Sequence, residues 1–205
     1  GESATAHKLR VWAIWGGIAV LLVGALVSYL PSIHGGFLWD DADYVQNNPT
    51  LRSVPGLEAI WFHPESIPQW YPLVHTTYWI EYHLWGLNTL GYRIDNILLH
   101  VGSAILLWFL LRRLNLPGAW LAAAVWALHP INVESVAWIT ERKNTLSGIL
   151  YLAAMLVYLG KRREAGLSGQ DEPAIETTSR DAPAPKAEIS ESGPTEGAAP
   201  EPHPT

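Results

Sequence analysis

The chain has 205 residues, with no cysteine, one methionine, 11 tryptophans, 15 prolines and a formal charge of −6. Without cysteine, a disulfide framework, a thiolate-bound zinc, an iron–sulfur cluster and a thiol nucleophile are all excluded. Residues 1–163 carry 10 acidic and 11 basic side chains and residues 164–205 carry nine and two, so the acidity sits in one tail, no basic face is left to track nucleic acid, and none is expected as a partner.

Taken in chain order, 11–30 is a charge-free run of 20 residues, the length a helix needs to cross roughly 30 Å of hydrocarbon. A secretory signal is the rival reading. The run exceeds the usual apolar region of ~7–15 residues and no small-residue cleavage site follows it, so a retained span is expected. Further apolar stretches cover 94–111, 117–129 and 145–160. The last two are short for full crossings and need tilt or continuation through the polar segment between them. Basic residues at Lys8/Arg10, Arg112/Arg113 and Lys161/Arg162/Arg163 mark alternate span ends. The positive-inside rule then predicts four spans, both termini cytoplasmic, and two outer segments at 31–91 and about 129–145. The expected fold class is an all-α integral membrane protein in a lipid bilayer.

Within the long outer loop, Ser53 and Pro55 predict the start of a short helix, and Pro72 to Trp85 a longer one whose Trp and Tyr content suits the headgroup level. From 164 onward, Pro, Glu, Ala, Ser, Thr and Gly dominate. Such a composition buries too little apolar surface to offset chain entropy, so a disordered cytoplasmic tail is expected.

Chemistry-bearing residues gather on the predicted outer face. Asp40, Asp41 and Asp43 follow the first span, flanked by Phe37, Leu38, Trp39 and Tyr44. Clustered carboxylates raise one another's proton affinity or share a cation, so a divalent metal on Asp40 and Asp41 is one reading and a solvated turn the other. Asn96, His100 and Ser103, four and three apart, share a helical face that points inward, for function or for helix–helix hydrogen bonding. In LHPINVESVAWITERKN, Asn132 is a candidate cap. Glu134, Trp138, Glu141, Arg142 and Thr145 would form one stripe of a helix that lines a cavity. Arg142 and Lys143 lie on the outer side against the charge rule. They call for an anion: a phosphate, or else Glu134, Glu141 or a lipid headgroup. His75 and His83 would stack on a sugar or join an aromatic belt. With His34 and His129 they show no short metal-ligand spacing.

Four segments in this order, FLWDDADYVQNNPTLRS (37–53), YPLVHTTYW (71–79), GYRIDNILLH (91–100) and LHPINVESVAWITERKN (128–144), resemble the N-terminal membrane region of bacterial tetratricopeptide-repeat membrane proteins. These are relatives of the transmembrane O-mannosyltransferases, in the GT-C glycosyltransferase superfamily. The resemblance covers about residues 8–163 and departs from the family's pattern at Arg93, Asp95 and Asn132.

The resemblance implies a bacterial inner-membrane enzyme that takes a sugar, such as mannose, from a polyprenyl-phosphate carrier and inverts the anomeric carbon on the outer face. It places the catalytic acid in the first outer loop, on Asp40 or Asp41. Arg142 or Lys143 would then stabilise the departing phosphate, and Glu134, Trp138, His129, Asn96, His100 and His75 would line the substrate. Members of the superfamily have more spans and the relatives carry repeats after them, so further spans supplied by a partner membrane chain are one reading. A non-catalytic protein that binds lipid-linked sugar or a protein partner is the alternative.

Overall fold

A computed structural model describes residues 2–164 and Gly166; the predicted acidic tail beyond these lies outside the described residues. All regular structure among the described residues is helical. Helix α1 (Glu2–Ile33) is followed by a loop, then α2 (Val54–Phe62), α3 (Pro72–Trp85), α4 (Thr89–Arg113), α5 (Ala119–Leu128), the single turn α6 (Val133–Ala137) and α7 (Arg142–Glu164).

Two helices, α1 and α4, are long and apolar enough to cross a membrane. Helix α1 packs little of its surface against the rest of the chain. Trp12, Trp15, Val20, Val23, Val27 and Leu30 are exposed along it, more apolar surface than water tolerates on one element, which points to a membrane protein. The third predicted span falls on α5, only ten residues long, about 15 Å at 1.5 Å per residue and half a hydrocarbon core. The fourth falls on α7, of 23 residues.

Small residues let these helices approach. Ala119, Ala123, Ala124 and Ala127 of α5 pack with Leu21 of α1 and Ala104 and Trp108 of α4. A Cβ on Gly17 would come within 2.7 Å of the Trp108 ring, and Trp120 Nε1 donates to Gly17 O at 3.3 Å. Close backbone approach of this kind replaces hydrophobic drive between helices in lipid.

The long segment between α1 and α4 builds a separate core. Tyr44, Val45, Leu51, Ile60, Ile67, Val74 and Tyr78 bury one another against Tyr92 of α4 and Ile139. Local signals set its elements. Ser53 Oγ accepts Gly56 N–H at 3.2 Å to cap α2, and Asn48 Oδ1 accepts Thr50 N–H at 3.0 Å, leaving few orphan donors. Both predicted loop helices form at the expected residues.

Candidate functional site

The first outer loop, the N-terminal turn of α4 and the segment 137–142 converge on Asp41. The loop enters through Trp39, held at φ 44°. It then makes a wide turn over Ala42–Gln46, closed by Asn47 N–H donating to Ala42 O at 2.7 Å. This turn drives Asp41 inward to 0% exposure and leaves Asp40 and Asp43 exposed. Asp41 Oδ2 accepts Leu38 N–H at 2.9 Å and Oδ1 accepts Thr140 N–H at 3.0 Å. Burial raises its pKa, and the two amides and the nearby Arg93 oppose that rise.

The three aspartates therefore do not form a cluster. Both Asp41 oxygens face backbone amides, and among the described residues no group of three His, Asp or Glu side chains is placed to hold a metal ion. The donor set does not fit a divalent cation, which wants several carboxylate or carbonyl oxygens free to turn toward it.

The expected stripe over 134–145 is broken. Trp138 is extended (φ −93°, ψ 126°), and α6 and α7 are separate helices. Side chains of α4 explain the break. Arg93 donates to Gly36 O and Ala137 O, and Asn96 Nδ2 donates to Trp138 O at 2.9 Å. The carbonyls that a continuous helix would bond four residues on are thus taken from outside. Asn132 stands at the predicted cap position of α6 but makes no cap hydrogen bond. Its amide donates to Trp126 O at 2.7 Å instead. Glu134 is left exposed, and Arg142 turns inward.

Arg142 is 1% exposed and is a structural hub rather than a free cation. Its Nε donates to Asn96 Oδ1 at 2.8 Å, Nη2 to Tyr92 O at 2.8 Å, and Nη1 to Thr77 Oγ1 at 3.2 Å and to Glu81 Oε2. The guanidinium also lies 4.9 Å from the Tyr78 ring centroid. The acid paired with this cation is Glu81, a residue that no motif or spacing in the sequence marks. Burial, reinforced by neighbouring Asp95, raises the pKa of the Glu81 carboxyl, and Arg142 pulls it back toward the charged form. Lys143 Nζ is half-buried and pairs with Glu141 Oε1 at 2.7 Å.

The other predicted residues divide between the core and the surface. His75 is fully buried, stacked on Tyr44 at 5.3 Å and edge-on to Tyr78, so it does not reach a sugar at the surface. Burial pulls its pKa down to about 4. His100 bonds Ala127 O at 2.8 Å and packs on Trp126, joining α4 to α5. Asn96 ties α4 to Trp138, whereas Ser103 Oγ donates to Leu99 O of its own helix at 3.0 Å. His129 is exposed, and its Nδ1 accepts Ile131 N–H at 3.2 Å.

Two clefts border this junction. The larger, of about 520 Å³, runs between the start of α3 and the start of α7, with Tyr71, Leu73, Leu146 and Leu150 as apolar lining and Lys143 and Asn144 as polar lining. Tyr44 lies close enough to Tyr71, Asp40 and Glu141 that all three, with burial, raise its pKa. Exposed Asp40 and largely buried Glu141, itself paired with Lys143, thus both lie near one buried phenol. The smaller cleft, of about 320 Å³, lies between Trp39, Arg93, Glu134 and Trp138.

No protein-family model matches the chain, and no solved structure matches it. Among curated proteins, it is 30% identical over 159 residues to the protein O-mannosyl-transferase F38B6.6 of Caenorhabditis elegans, covering 71% of this chain and 23% of that protein. It is 30% identical over 178 residues to the protein O-mannosyl-transferase TMTC4 of Homo sapiens, covering 74% and 24%. Against TMTC1 of Mus musculus it is 29% identical over 189 residues, covering 84% and 20%. The chain spans about a quarter of the length of the curated relatives it matches or less, and these likenesses relate it to the protein O-mannosyl-transferases.

Proposed function

We propose that this chain is a GT-C-like glycosyltransferase module that transfers a sugar, mannose by the names of its relatives, from a polyprenyl-phosphate carrier to a hydroxyl acceptor. The observation that carries the reading is the anchoring of the first-loop carboxylate Asp41 on the segment that leads into Lys143 and its cleft. Asp41 binds Thr140 N–H, three residues before Lys143, while Asp40 stays exposed.

In this reading Asp40 takes the proton of the acceptor hydroxyl as its oxygen attacks the anomeric carbon. The bond from that carbon to the phosphate oxygen breaks, the phosphate leaves with the electron pair, and the configuration inverts. Lys143, freed from Glu141, neutralises the departing phosphate. Leu146 and Leu150 of the larger cleft receive the start of the prenyl chain. Asp41 holds the turn that presents Asp40. The module has four spans with both termini in the cytoplasm of a bacterial inner membrane, the short α5 crossing where the bilayer thins locally or by continuation through the segment after it.

The purified chain in lipid, given polyprenyl-phosphate mannose and hydroxyl-bearing peptides, tests this. Transfer by the unmutated chain that is abolished in Asp40→Asn, with insertion intact, is expected; transfer that persists in Asp40→Asn overturns the assignment. A second reading, a non-catalytic protein that binds lipid-linked sugar or a partner, is favoured by the internal use of Asp41 and Arg142. Binding of the lipid without any transfer would establish it.

A further inference from the structure

Helix α3 turns its polar and aromatic residues to the protein and an aliphatic edge to the outside. Val74, His75, Tyr78 and Glu81 are buried. Tyr78 O–H donates to Ile139 O at 2.8 Å, and Trp79 Nε1 donates to Ser53 O at 2.9 Å. Leu73, Ile80 and Leu84 are exposed, the last two at 48% and 65%. Seven and four residues apart, they fall within about 40° of one another around the helix axis. Among the exposed residues of α3 only His83 is polar, and the helix carries no lysine or arginine. Three large aliphatic side chains in one line are unfavourable in water, and nothing among the described residues covers them.

The attachments of α3 decide what this stripe faces. Three residues, 86–88, join it to α4, and Tyr92 near the start of α4 donates its O–H to Gly86 O at 2.8 Å. Helix α4 is one of the two long and apolar enough to cross a membrane. Along its flank, α3 is held by Arg142, the first residue of α7, which donates to Thr77 Oγ1 and Glu81 Oε2. The helix is thus tied to the heads of α4 and α7, the ends that the charge rule turns outward. Leu73 shares the lining of the larger cleft with Leu146 and Leu150, about one and two turns down α7 from that head, which sets the stripe on the membrane side of α3. Beyond Leu84, apolar exposure continues through Leu87 and Leu90 to Leu98 of α4. We propose that α3 lies along the surface of the leaflet at these heads, the outer one in the proposed topology, with Leu73, Ile80 and Leu84 inserted among acyl chains just beneath the headgroups. The insertion is apolar and needs no anionic lipid, because no lysine or arginine stands on the helix to recruit one. This seat fixes the depth of Thr77 and Glu81, and therefore of Arg142, and opens the apolar side of the larger cleft toward the same leaflet. The placement rests on α4 as a span and not on the sugar-transfer reading.

Because the chain has no cysteine, single nitroxide labels on the full chain in phosphatidylcholine nanodiscs test this. Ile80→Cys and Leu84→Cys carry the test. Leu98→Cys, on the exposed face of α4, is the reference for lipid, and Asp43→Cys the reference for water. At each label, spin-relaxation measurements compare collisions with oxygen, which concentrates in hydrocarbon, and with a water-soluble nickel chelate. The ratio of oxygen to nickel collisions at Ile80 and Leu84 is expected to be several times that at Asp43, shifted toward that at Leu98, and unchanged when anionic lipid is added. A ratio at Ile80 and Leu84 equal to that at Asp43 overturns the placement. Low collision with both reagents there overturns it too, and assigns the stripe to a protein neighbour, such as a second copy of the chain. Free nickel contact at Leu98 removes the span of α4 and the placement with it. Glycosyl transfer, present or absent, alters none of these outcomes.

Discussion

Oδ1 of Asp41 accepts the backbone N–H of Thr140, a residue 99 positions further along the chain, at 3.0 Å in a fully buried setting. One carboxylate thereby sets the turn of the loop after α1 and takes the Thr140 N–H, adding to the break between α6 and α7 that Arg93 and Asn96 make. Asp41→Ala leaves the buried amide of Thr140 and the part-buried amide of Leu38 without acceptors. Each costs about 1–3 kcal/mol. Thermal unfolding in detergent should show Asp41→Ala destabilised by about 2–5 kcal/mol, and Asp41→Asn, which keeps one acceptor oxygen, by less. Equal stability of Asp41→Ala and the unmutated chain would remove this role.

The Arg142–Glu81 pair is buried on both sides. Arg142→Met strands Glu81 and should cost about 3–5 kcal/mol, the usual penalty for breaking a buried pair on one side. Arg142→Lys should rescue little, since a single ammonium cannot reach Asn96, Tyr92 O, Thr77 and Glu81 together. The double variant Arg142→Met/Glu81→Leu should recover stability relative to Arg142→Met alone, and a double-mutant cycle of chemical unfolding measures the coupling.

His75 makes stability depend on pH. Its folded pKa, near 4, lies below its ordinary value of 6.5, so the unfolded chain binds the proton first. Stability is complete above pH 6.5 and is lost as pH falls toward 4, by up to about 3 kcal/mol at 1.36 kcal/mol per unit. His75→Phe, which keeps a ring between Tyr44 and Tyr78, should flatten that acid limb. An unfolding series from pH 7.5 to 4 in both proteins checks it.

Gly56 is needed for space. A Cβ there would stand 2.1 Å from Thr50 O, a backbone atom that cannot swing away. Gly56→Ala should destabilise the outer loop by about 1–3 kcal/mol, as overpacking does, and speed proteolysis within 37–72. Gly36→Ala, which meets nothing within 4 Å, serves as the silent control.

The chain contains no cysteine, so Asp43→Cys introduces a single thiol at an exposed position. In the proposed topology, a membrane-impermeant maleimide labels it from the outer side of intact cells. Labelling only after the cytoplasmic side is opened overturns the orientation and the site together.

Local and periodic properties were legible in the residues alone. Ser53 and Pro55 start α2, and Pro72 to Trp85 is α3 to the residue, because caps and proline act within one turn of where they stand. The apolar runs gave α1 and α4, since length and hydropathy are additive along a chain. Burial of Asn96, His100 and Ser103 followed from their spacing on one face.

Partnership was not legible. The stripe from Glu134 to Thr145 presumed a continuous helix, but Arg93 and Asn96, some 40 residues away, take the carbonyls that would have continued it. The sequence leaves the partner of Arg142 open between a phosphate, Glu134, Glu141 and a lipid headgroup, whereas the structure pairs it with Glu81, 61 residues distant. Asp40 and Asp41 are neighbours in sequence with opposite surroundings, because one turn of backbone sends one to solvent and the other to Thr140. Hydropathy and capping are decided by adjacent residues. The pairing of a buried charge is decided by whichever distant group the packed helices bring to it, and only the tertiary structure makes that choice.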